Sequence, residues 1–195
     1  MFTGIIQDIG FINFIEKGLY RVSTSLNLND CKEGSSISCN GVCLTAKNIY
    51  QNDENKFSFE VNIGEETLFR TNLGNIINKN NKINIEKSLK VGDEIGGHFV
   101  YGHVDTITSI TNIKKLNNSW EFYFKKDFGK NNKFISEKVS VAINGISLTI
   151  AKIENSVFMT SIIDHTFNHT NLKFMSISDV VNIEFDYLAR FIENE

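Results

Sequence analysis

A glycine-rich segment near the middle of the chain holds two of its four histidines. Residues 96–104 read Gly-Gly-His-Phe-Val-Tyr-Gly-His-Val, so His98 and His103 are five residues apart. In an extended chain that spacing places the two rings on opposite faces, and no cysteine or carboxylate completes a metal-ligand set. A metal site is therefore disfavoured. The glycines would instead allow the backbone to approach a planar ligand closely.

Two similar triplets, Cys43-Leu44-Thr45 and Ser147-Leu148-Thr149, form the second candidate for chemistry. Each has a nucleophilic or hydrogen-bonding side chain, an apolar residue and a threonine, and the outer two residues share one face of a strand. Spacing alone favours a structural interpretation, with Cys43 as a small buried residue and the threonines as ordinary β-formers. No Ser-His-Asp motif, Cys-His motif or phosphate-binding loop is recognisable.

These triplets belong to an internal repeat that determines the predicted architecture. Four blocks recur in the same order at offsets of 104, 99 or 98 residues, namely 34–45 with 138–149, 67–73 with 166–172, 84–86 with 182–184, and 4–9 with 102–107. Two copies predict two similar domains, since a solenoid needs about three repeats to bury a continuous core.

Alternating apolar residues within each copy predict short β-strands. The clearest runs are 36–39, 56–61, 82–86 and 120–124. Asn40-Gly41 and Asn144-Gly145 each lie between such runs, where Asn-Gly favours a tight hairpin turn. Because barrel closure removes exposed strand edges, we expect an all-β chain of two tandem β-barrels. The only clear helix signal is a short C-terminal α-helix that starts after Asp186.

Composition excludes several classes of function. The chain has 195 residues, is 41% hydrophobic and carries a net charge of -3. It therefore lacks the basic footprint of a nucleic-acid-binding protein, and no apolar run approaches the roughly 20 residues of a membrane span. We expect no membrane association and a cytoplasmic location. The odd count of three cysteines favours free thiols.

Taken together, five motifs resemble the riboflavin synthase family in order and spacing. They are Met-Phe-Thr-Gly-Ile-Ile at 1–6, Asn-Gly-Val-Cys-Leu-Thr at 40–45, Glu-Thr-Leu-Phe-Arg-Thr-Asn-Leu-Gly at 66–74, the segment 96–104, and Gly-Ile-Ser-Leu-Thr at 145–149. The first and fourth are highly specific, and the five cover almost the whole chain. The resemblance implies two Greek-key barrels at 1–97 and 98–186, with an oligomerisation helix at 187–195.

The resemblance also implies an activity. Members of this family move a four-carbon unit between two molecules of 6,7-dimethyl-8-(1-D-ribityl)lumazine, which gives riboflavin and 5-amino-6-(D-ribitylamino)uracil without a cofactor. The chain would thus be a transferase that binds two substrate molecules per site. The family further implies a homotrimer, with each site between the N-terminal barrel of one subunit and the C-terminal barrel of another, and an association with lumazine synthase.

The site residues are carried over from the matching motifs. The resemblance implies an N-terminal pocket of Gly4, Ile5, Ile6, Cys43, Leu44, Thr45, Asn62, Ile63, Gly64, Glu65, Glu66 and Thr67. It implies a C-terminal pocket of Gly102, His103, Val104, Lys138, Ser147, Leu148, Thr149, Ser161, Ile162, Ile163, Asp164, His165 and Thr166. His103 would be the leading base, Ser147 and Thr149 would polarise one ring, and Cys43, Ser36 and Asp186 would assist at the other.

Two alternatives accompany this interpretation, and the chain also departs from the family pattern. A lumazine-binding antenna protein of the same fold would hold the ligand without converting it, but such relatives lose the Gly-Gly-His and Gly-His segment that is present here. A flavin-binding barrel of a reductase is disfavoured because no nicotinamide-binding glycine-rich turn follows. Asn144 stands where the family commonly has Asp.

Overall fold

The structure is a computed structural model that describes residues 1–52 and 56–190. It folds each half of the chain into one antiparallel sheet. The first half contains β1 (Asp8–Glu16), β2 (Leu19–Thr24), β3 (Ser36–Cys39), β4 (Val42–Thr45), β5 (Lys47–Gln51), β6 (Phe57–Asn62), α1 (Glu65–Arg70), α2 (Leu73–Lys79) and β7 (Lys82–Lys87). The second half contains β8 (Thr106–Lys115), β9 (Ser119–Lys125), β10 (Ser140–Ile143), β11 (Ile146–Glu154), β12 (Val157–Ile163), α3 (Asp164–His169) and β13 (Val180–Phe185), with 3-10 helices at Gly129–Phe134, Asn171–Phe174 and Tyr187–Arg190.

Both sheets follow the same winding. The second is a closed barrel with strand order β10-β11-β12-β9-β8-β13, and the first has the order β4-β3-β7-β1-β2-β6-β5. The outer strands of the first sheet, β4 and β5, are separated in the chain only by Ala46. In the second half the same path is the single strand β11, whose register shifts between Ile150 and Lys152. The prediction of two tandem barrels of one fold is thus confirmed.

The predicted strands and turns are confirmed in detail. The runs at 36–39, 56–61, 82–86 and 120–124 fall on β3, β6, β7 and β9. In the turns, Asn40 and Gly41 have φ angles of +56° and +80°, and Asn144 and Gly145 have +48° and +79°. Two consecutive positive φ angles are what a two-residue hairpin of this type requires, and asparagine and glycine tolerate them best.

Each half buries its own apolar core. The inward-facing side chains of the first sheet include Ile12, Val22 and Phe59, all fully buried. In the second barrel Phe124 stacks on Phe158 with ring centroids 5.2 Å apart. Alternation along the strands sends these residues inward and their polar neighbours outward, as the sequence pattern predicts.

Six buried asparagines join the two halves. They are equivalent in pairs under the repeat, and we call them the asparagine seam: Asn40 with Asn144, Asn72 with Asn171, and Asn84 with Asn182. Asn72 Nδ2 donates to Asn144 Oδ1 at 3.0 Å, and Asn171 Nδ2 donates to Asn40 Oδ1 at 2.9 Å. Asn84 Nδ2 donates to the Asn144 carbonyl at 2.9 Å, and Asn182 Nδ2 donates to the Asn40 carbonyl at 2.8 Å. The seam therefore has local two-fold symmetry.

The helices depart from the sequence prediction. Helices α1, α2 and α3 were not predicted from the sequence. His165 and His169 both lie on α3, with their rings stacked 4.2 Å apart. After Asp186 the chain forms a 3-10 helix, Tyr187–Arg190, rather than the start of an α-helix. Residues 191–195 of the predicted C-terminal helix lie outside the described residues.

The seam predicts that Asn40 and Asn144 tolerate substitution by aspartate to different extents. Asn144 accepts two short hydrogen bonds through Oδ1, whereas its Nδ2 only reaches Asn171 Oδ1 at 3.5 Å. Asn40 donates to Asn72 Oδ1 at 2.9 Å, so Asn40→Asp would set two oxygen atoms against each other. We expect Asn40→Asp to lower the free energy of unfolding by roughly 1–3 kcal/mol more than Asn144→Asp. Urea unfolding measures both, and equal losses would contradict the unequal roles.

Candidate functional site

The leading segments, which precede the first strand of each half at residues 1–7 and 96–105, cross each other. Phe2 and Val100 form an isolated antiparallel bridge, with Phe2 N donating to Val100 O at 2.7 Å and Val100 N donating to Phe2 O at 3.0 Å. The two residues are 98 positions apart, so they are equivalent under the repeat. The bridge joins equivalent residues across the local two-fold axis of the seam.

This crossing places each glycine loop against the opposite half. Ser147 N donates to Gly4 O at 2.8 Å, and in the mirrored contact Cys43 N donates to Gly102 O at 2.9 Å. A Cβ atom on Gly102, whose φ is +78°, would lie 2.6 Å from the Cβ of Cys43. Only glycine permits this approach together with that backbone conformation.

The crossing brings together residues that the family resemblance assigned to different pockets. Residues 4–6 were expected beside residues 43–45, and residues 102–104 beside residues 147–149. In the structure Gly4 contacts Ser147, and Gly102 contacts Cys43. The physical reason is the bridge between Phe2 and Val100, which carries each leading segment past its own barrel. The wider residue set stays a prediction.

In the second half, Ser147 lies within a polar cluster. Its Oγ is 2.7 Å from His98 Nδ1. Burial lowers the pKa of His98 below its usual value, and the negative charge of Asp186 acts in the opposite direction. The imidazole is therefore held neutral near pH 7 beside a hydroxyl group, an arrangement suited to passing a proton.

Gly97 makes room for this cluster. A Cβ atom at position 97 would lie 2.1 Å from the Thr3 carbonyl and 2.7 Å from the Ser147 Cβ. Any side chain at position 97 would push Thr3 and Ser147 apart. It would also disrupt the contact between Ser147 and His98.

The remaining second-half candidates lie on several different elements. Thr149 lies opposite Ser140 on the neighbouring strand, and residues 161–166 span the end of β12 and the start of α3. Ile6 and His165 line one open cavity of about 420 Å³. Lys138 lies in an exposed turn before β10, where its backbone N–H donates to Ile150 O at 2.7 Å.

The first half has the equivalent layout with different side chains. Cys43 is a free, partly exposed thiol, and Ser36 lies opposite Thr45 on the paired strand. His103 is exposed beside Tyr101, with ring centroids 6.4 Å apart. Residues 62–67 span the end of β6 and the start of α1, as residues 161–166 do in the other half. All three cysteines are free.

Two buried glutamates hold the crossing loops. Glu184 accepts backbone hydrogen bonds from Tyr101, Gly102 and His103 at 2.6, 2.9 and 2.9 Å. Burial raises its pKa to about 7, with the charge of Asp105 adding to that rise and the three N–H donors opposing it. Glu86 is the equivalent residue of the first half, and burial raises its pKa as well.

His98, Glu86 and Glu184 were missed as site residues by the sequence interpretation. His98 lies in the segment 96–104, which was singled out, but it was considered only as a metal ligand. The glutamates were visible as the repeated Asn-Ile-Glu block, which is common in β-strands and carries no sign of burial. Among the described residues, no group of three or more histidine, cysteine, aspartate or glutamate side chains is arranged to hold a metal.

Comparison with known proteins identifies the repeat. The family model for the lumazine binding domain matches twice, at residues 3–88 and 101–186. The riboflavin synthase of Brucella abortus is 38% identical over 195 residues, covering 98% of this chain and 96% of that protein. The riboflavin synthase of Saccharomyces cerevisiae is 35% identical, covering 100% of this chain and 86% of that protein.

Solved structures share the fold. The chain is similar to LumP complexed with riboflavin, with a TM-score of 0.77 and 22% identity, covering 95% of this chain and 99% of that one. It is also similar to LumP complexed with 6,7-dimethyl-8-(1'-D-ribityl)lumazine, with a TM-score of 0.72 and 21% identity over 94% of this chain and 98% of that one. None of the helices in the described ranges has the length and apolar character of a membrane span.

The raised pKa of Glu184 predicts a pH-dependent stability. Between the ordinary value of 4.5 and about 7, the folded protein keeps a proton that the unfolded chain has released. The stabilising contribution is therefore complete below pH 4.5 and is lost as the pH rises through 7. We expect the stability difference between wild type and Glu184→Gln to fall by roughly 3 kcal/mol over this window. Urea unfolding at several pH values measures it, and a constant difference would contradict the expectation.

Proposed function

The chain belongs to the riboflavin synthase family, and from that membership we propose how its two halves carry out the reaction. The enzyme is a riboflavin synthase. It transfers a four-carbon unit between two molecules of 6,7-dimethyl-8-(1-D-ribityl)lumazine, and the products are riboflavin and 5-amino-6-(D-ribitylamino)uracil. This makes the protein a transferase that needs no cofactor.

One observation carries the proposal for the site. The contact of Gly4 with Ser147 and the contact of Gly102 with Cys43 are equivalent under the repeat, so the chain presents two similar sites. A reaction between two identical molecules needs two such sites. Catalysis then consists largely of holding two ring systems in a reactive arrangement.

The two sites differ in their polar groups, and the reaction needs one donor and one acceptor. Transfer begins when a proton leaves the acidic 7-methyl group of one lumazine and a nucleophile adds at C7 of the other. His103 is the proposed base for the methyl group. Ser147, bonded to His98, and Thr149 polarise one ring, while Cys43, Ser36 and Asp186 assist at the other.

Assembly and location extend the proposal. We propose a homotrimer in which the N-terminal barrel, residues 1–97, faces the C-terminal barrel, residues 98–186, of a neighbouring chain. Residues 187–195 would make contacts between subunits. The exposed apolar side chains of Tyr187 and Leu188, 41% and 59% accessible, support a contact there. A cytoplasmic location and an association with lumazine synthase complete the proposal, and co-sedimentation of the two proteins tests the latter.

A ligand-holding antenna protein is the alternative of another class. It would bind lumazine and riboflavin without converting either. The partly buried His98 beside Ser147 favours catalysis, because a holding protein needs no neutral imidazole next to a hydroxyl group. The reductase alternative would also require a nicotinamide.

A single incubation separates these functions. Purified protein is mixed with 6,7-dimethyl-8-(1-D-ribityl)lumazine alone, and the absorbance of riboflavin is followed. We expect riboflavin and the ribitylaminouracil in equal amounts. Binding without conversion would establish the antenna function, and a requirement for a nicotinamide would establish a reductase.

The proposed role of His103 predicts a kinetic effect. His103→Ala should lower kcat by more than about tenfold, because the proton on the methyl group loses its acceptor. Lys125→Ala, which removes an exposed side chain of β9 that pairs with Asp127, is the control and should leave kcat unchanged. Unchanged turnover in His103→Ala would remove this residue from the mechanism.

A further inference from the structure

We propose that Glu86 and Glu184 are positioning residues, each of which belongs to one barrel and orders the backbone loop that completes the substrate site of the other barrel. The inference deepens the proposed function, on which it rests. It assigns to each half a residue that acts on the opposite site, so neither barrel would form a working site by itself.

Glu86 holds the loop at residues 3–5. It lies on β7 of the first barrel and is only 3% exposed. One carboxylate oxygen accepts from Thr3 N at 2.8 Å and from Thr3 Oγ1 at 3.0 Å, and the other accepts from Gly4 N at 3.1 Å. The carbonyl of the same Gly4 accepts from Ser147 N in the second barrel at 2.8 Å. Glu86 is thus two hydrogen bonds away from Ser147.

Glu184 repeats this arrangement in the opposite direction. It lies on β13 of the second barrel, is 6% exposed, and accepts from three successive backbone N–H groups at residues 101–103. The carbonyl of Gly102 accepts from Cys43 N in the first barrel at 2.9 Å. The same three hydrogen bonds fix the backbone of His103.

Neither carboxylate has another visible function in the fold. Among the described residues, no lysine, arginine or histidine nitrogen lies within 4.0 Å of Glu86 or Glu184. A buried carboxylate without a cation is expensive unless hydrogen-bond donors surround it. Here the donors are the loop N–H groups, so the carboxylate and the loop order each other.

The two loops differ in the residue that follows each of them. Gln7 and Asp105 are equivalent under the repeat, and each accepts from the backbone N–H that follows the glutamate, from Lys87 at 2.8 Å and from Phe185 at 2.9 Å. Only Asp105 is charged, and it also pairs with Arg190. The chain just after the loop at residues 101–103 is therefore anchored by a second carboxylate, whereas the chain just after residues 3–5 is anchored by the amide of Gln7.

The test compares Glu86→Gln with Glu184→Gln, with Glu154→Gln on the exposed end of β11 as a control. Glutamine keeps the shape but replaces one acceptor oxygen by an NH2 group that faces the loop donors. Amide hydrogen exchange is measured at pH about 8, where Glu184 is ionised, with and without riboflavin. Thermal unfolding of each variant is recorded first, and Glu→Asp replaces any Gln variant that does not fold.

We expect each substitution to weaken riboflavin protection in the barrel that does not carry it. Glu184→Gln should speed amide exchange at residues 101–103 by about tenfold. It should also raise, by about fivefold, the riboflavin concentration needed to protect residues 62–67 in the first barrel. Glu86→Gln should do the same at residues 3–5 and at residues 161–166. In each variant the other pocket should keep its wild-type riboflavin response, and both variants should lose turnover because the reaction needs both sites.

Two results would overturn the assignment. One is faster exchange together with weaker riboflavin protection in the pocket of the barrel that carries the substituted glutamate. The other is faster exchange of a loop with no effect on riboflavin protection in either pocket. The proposed function is tested separately, since wild-type protein that fails to convert the lumazine would refute the activity while the exchange pattern still decides the role of the glutamates.

Discussion

The buried amide groups between the two barrels are the constraint on which the rest of the structure depends. A side-chain amide removed from water must find both donors and acceptors, and the six asparagines of the seam find them largely in one another and in the turn carbonyls of the opposite half. Sliding one barrel along the other would leave many of these groups unpaired at once. The seam therefore selects one relative orientation, which an apolar interface of the same size would specify less sharply.

That orientation determines where the proposed substrate sites form. Once the turns at Gly41 and Gly145 are in contact, the equivalent residues Phe2 and Val100 lie side by side and bridge. The leading segments then cross, and each glycine loop reaches the opposite barrel. The buried glutamates belong to the same geometry, because each loop turns its N–H groups toward the last strand of the barrel it leads into, β7 or β13. A site completed by the other half is thus a consequence of the interface.

The same symmetry is broken where the chemistry is expected. Ser147 with its partner His98 occupies the position that Cys43 has in the first half, and Asp105 replaces Gln7 beside the loop glutamate. Two identical molecules enter the reaction, but one loses the four-carbon unit and the other gains it. Two pockets of one shape with different polar groups suit that requirement, since shape is set by the fold and reactivity by a few side chains.

The sequence by itself determined the duplicated all-β architecture, the two Asn-Gly hairpins and the family. These depend on local periodicity, on turn chemistry and on motifs that are contiguous in the chain. It also marked Gly4 and Gly102, which the structure places against Ser147 and Cys43. Sequence reasoning missed the short helices α1, α2 and α3, whose six or seven residues are too few for a clear helical period.

Only the tertiary structure decided which loop faces which barrel. Residues 4–6 and 43–45 belong to the same repeat. Nothing in the local sequence indicates that residues 4–6 contact the other half instead. That contact depends on the seam and on the bridge between Phe2 and Val100, contacts between residues about 100 positions apart. Likewise, the pairing of His98 with Ser147 and the hydrogen bonds of Glu86 and Glu184 exist only in the folded chain, because each joins segments that are distant in sequence.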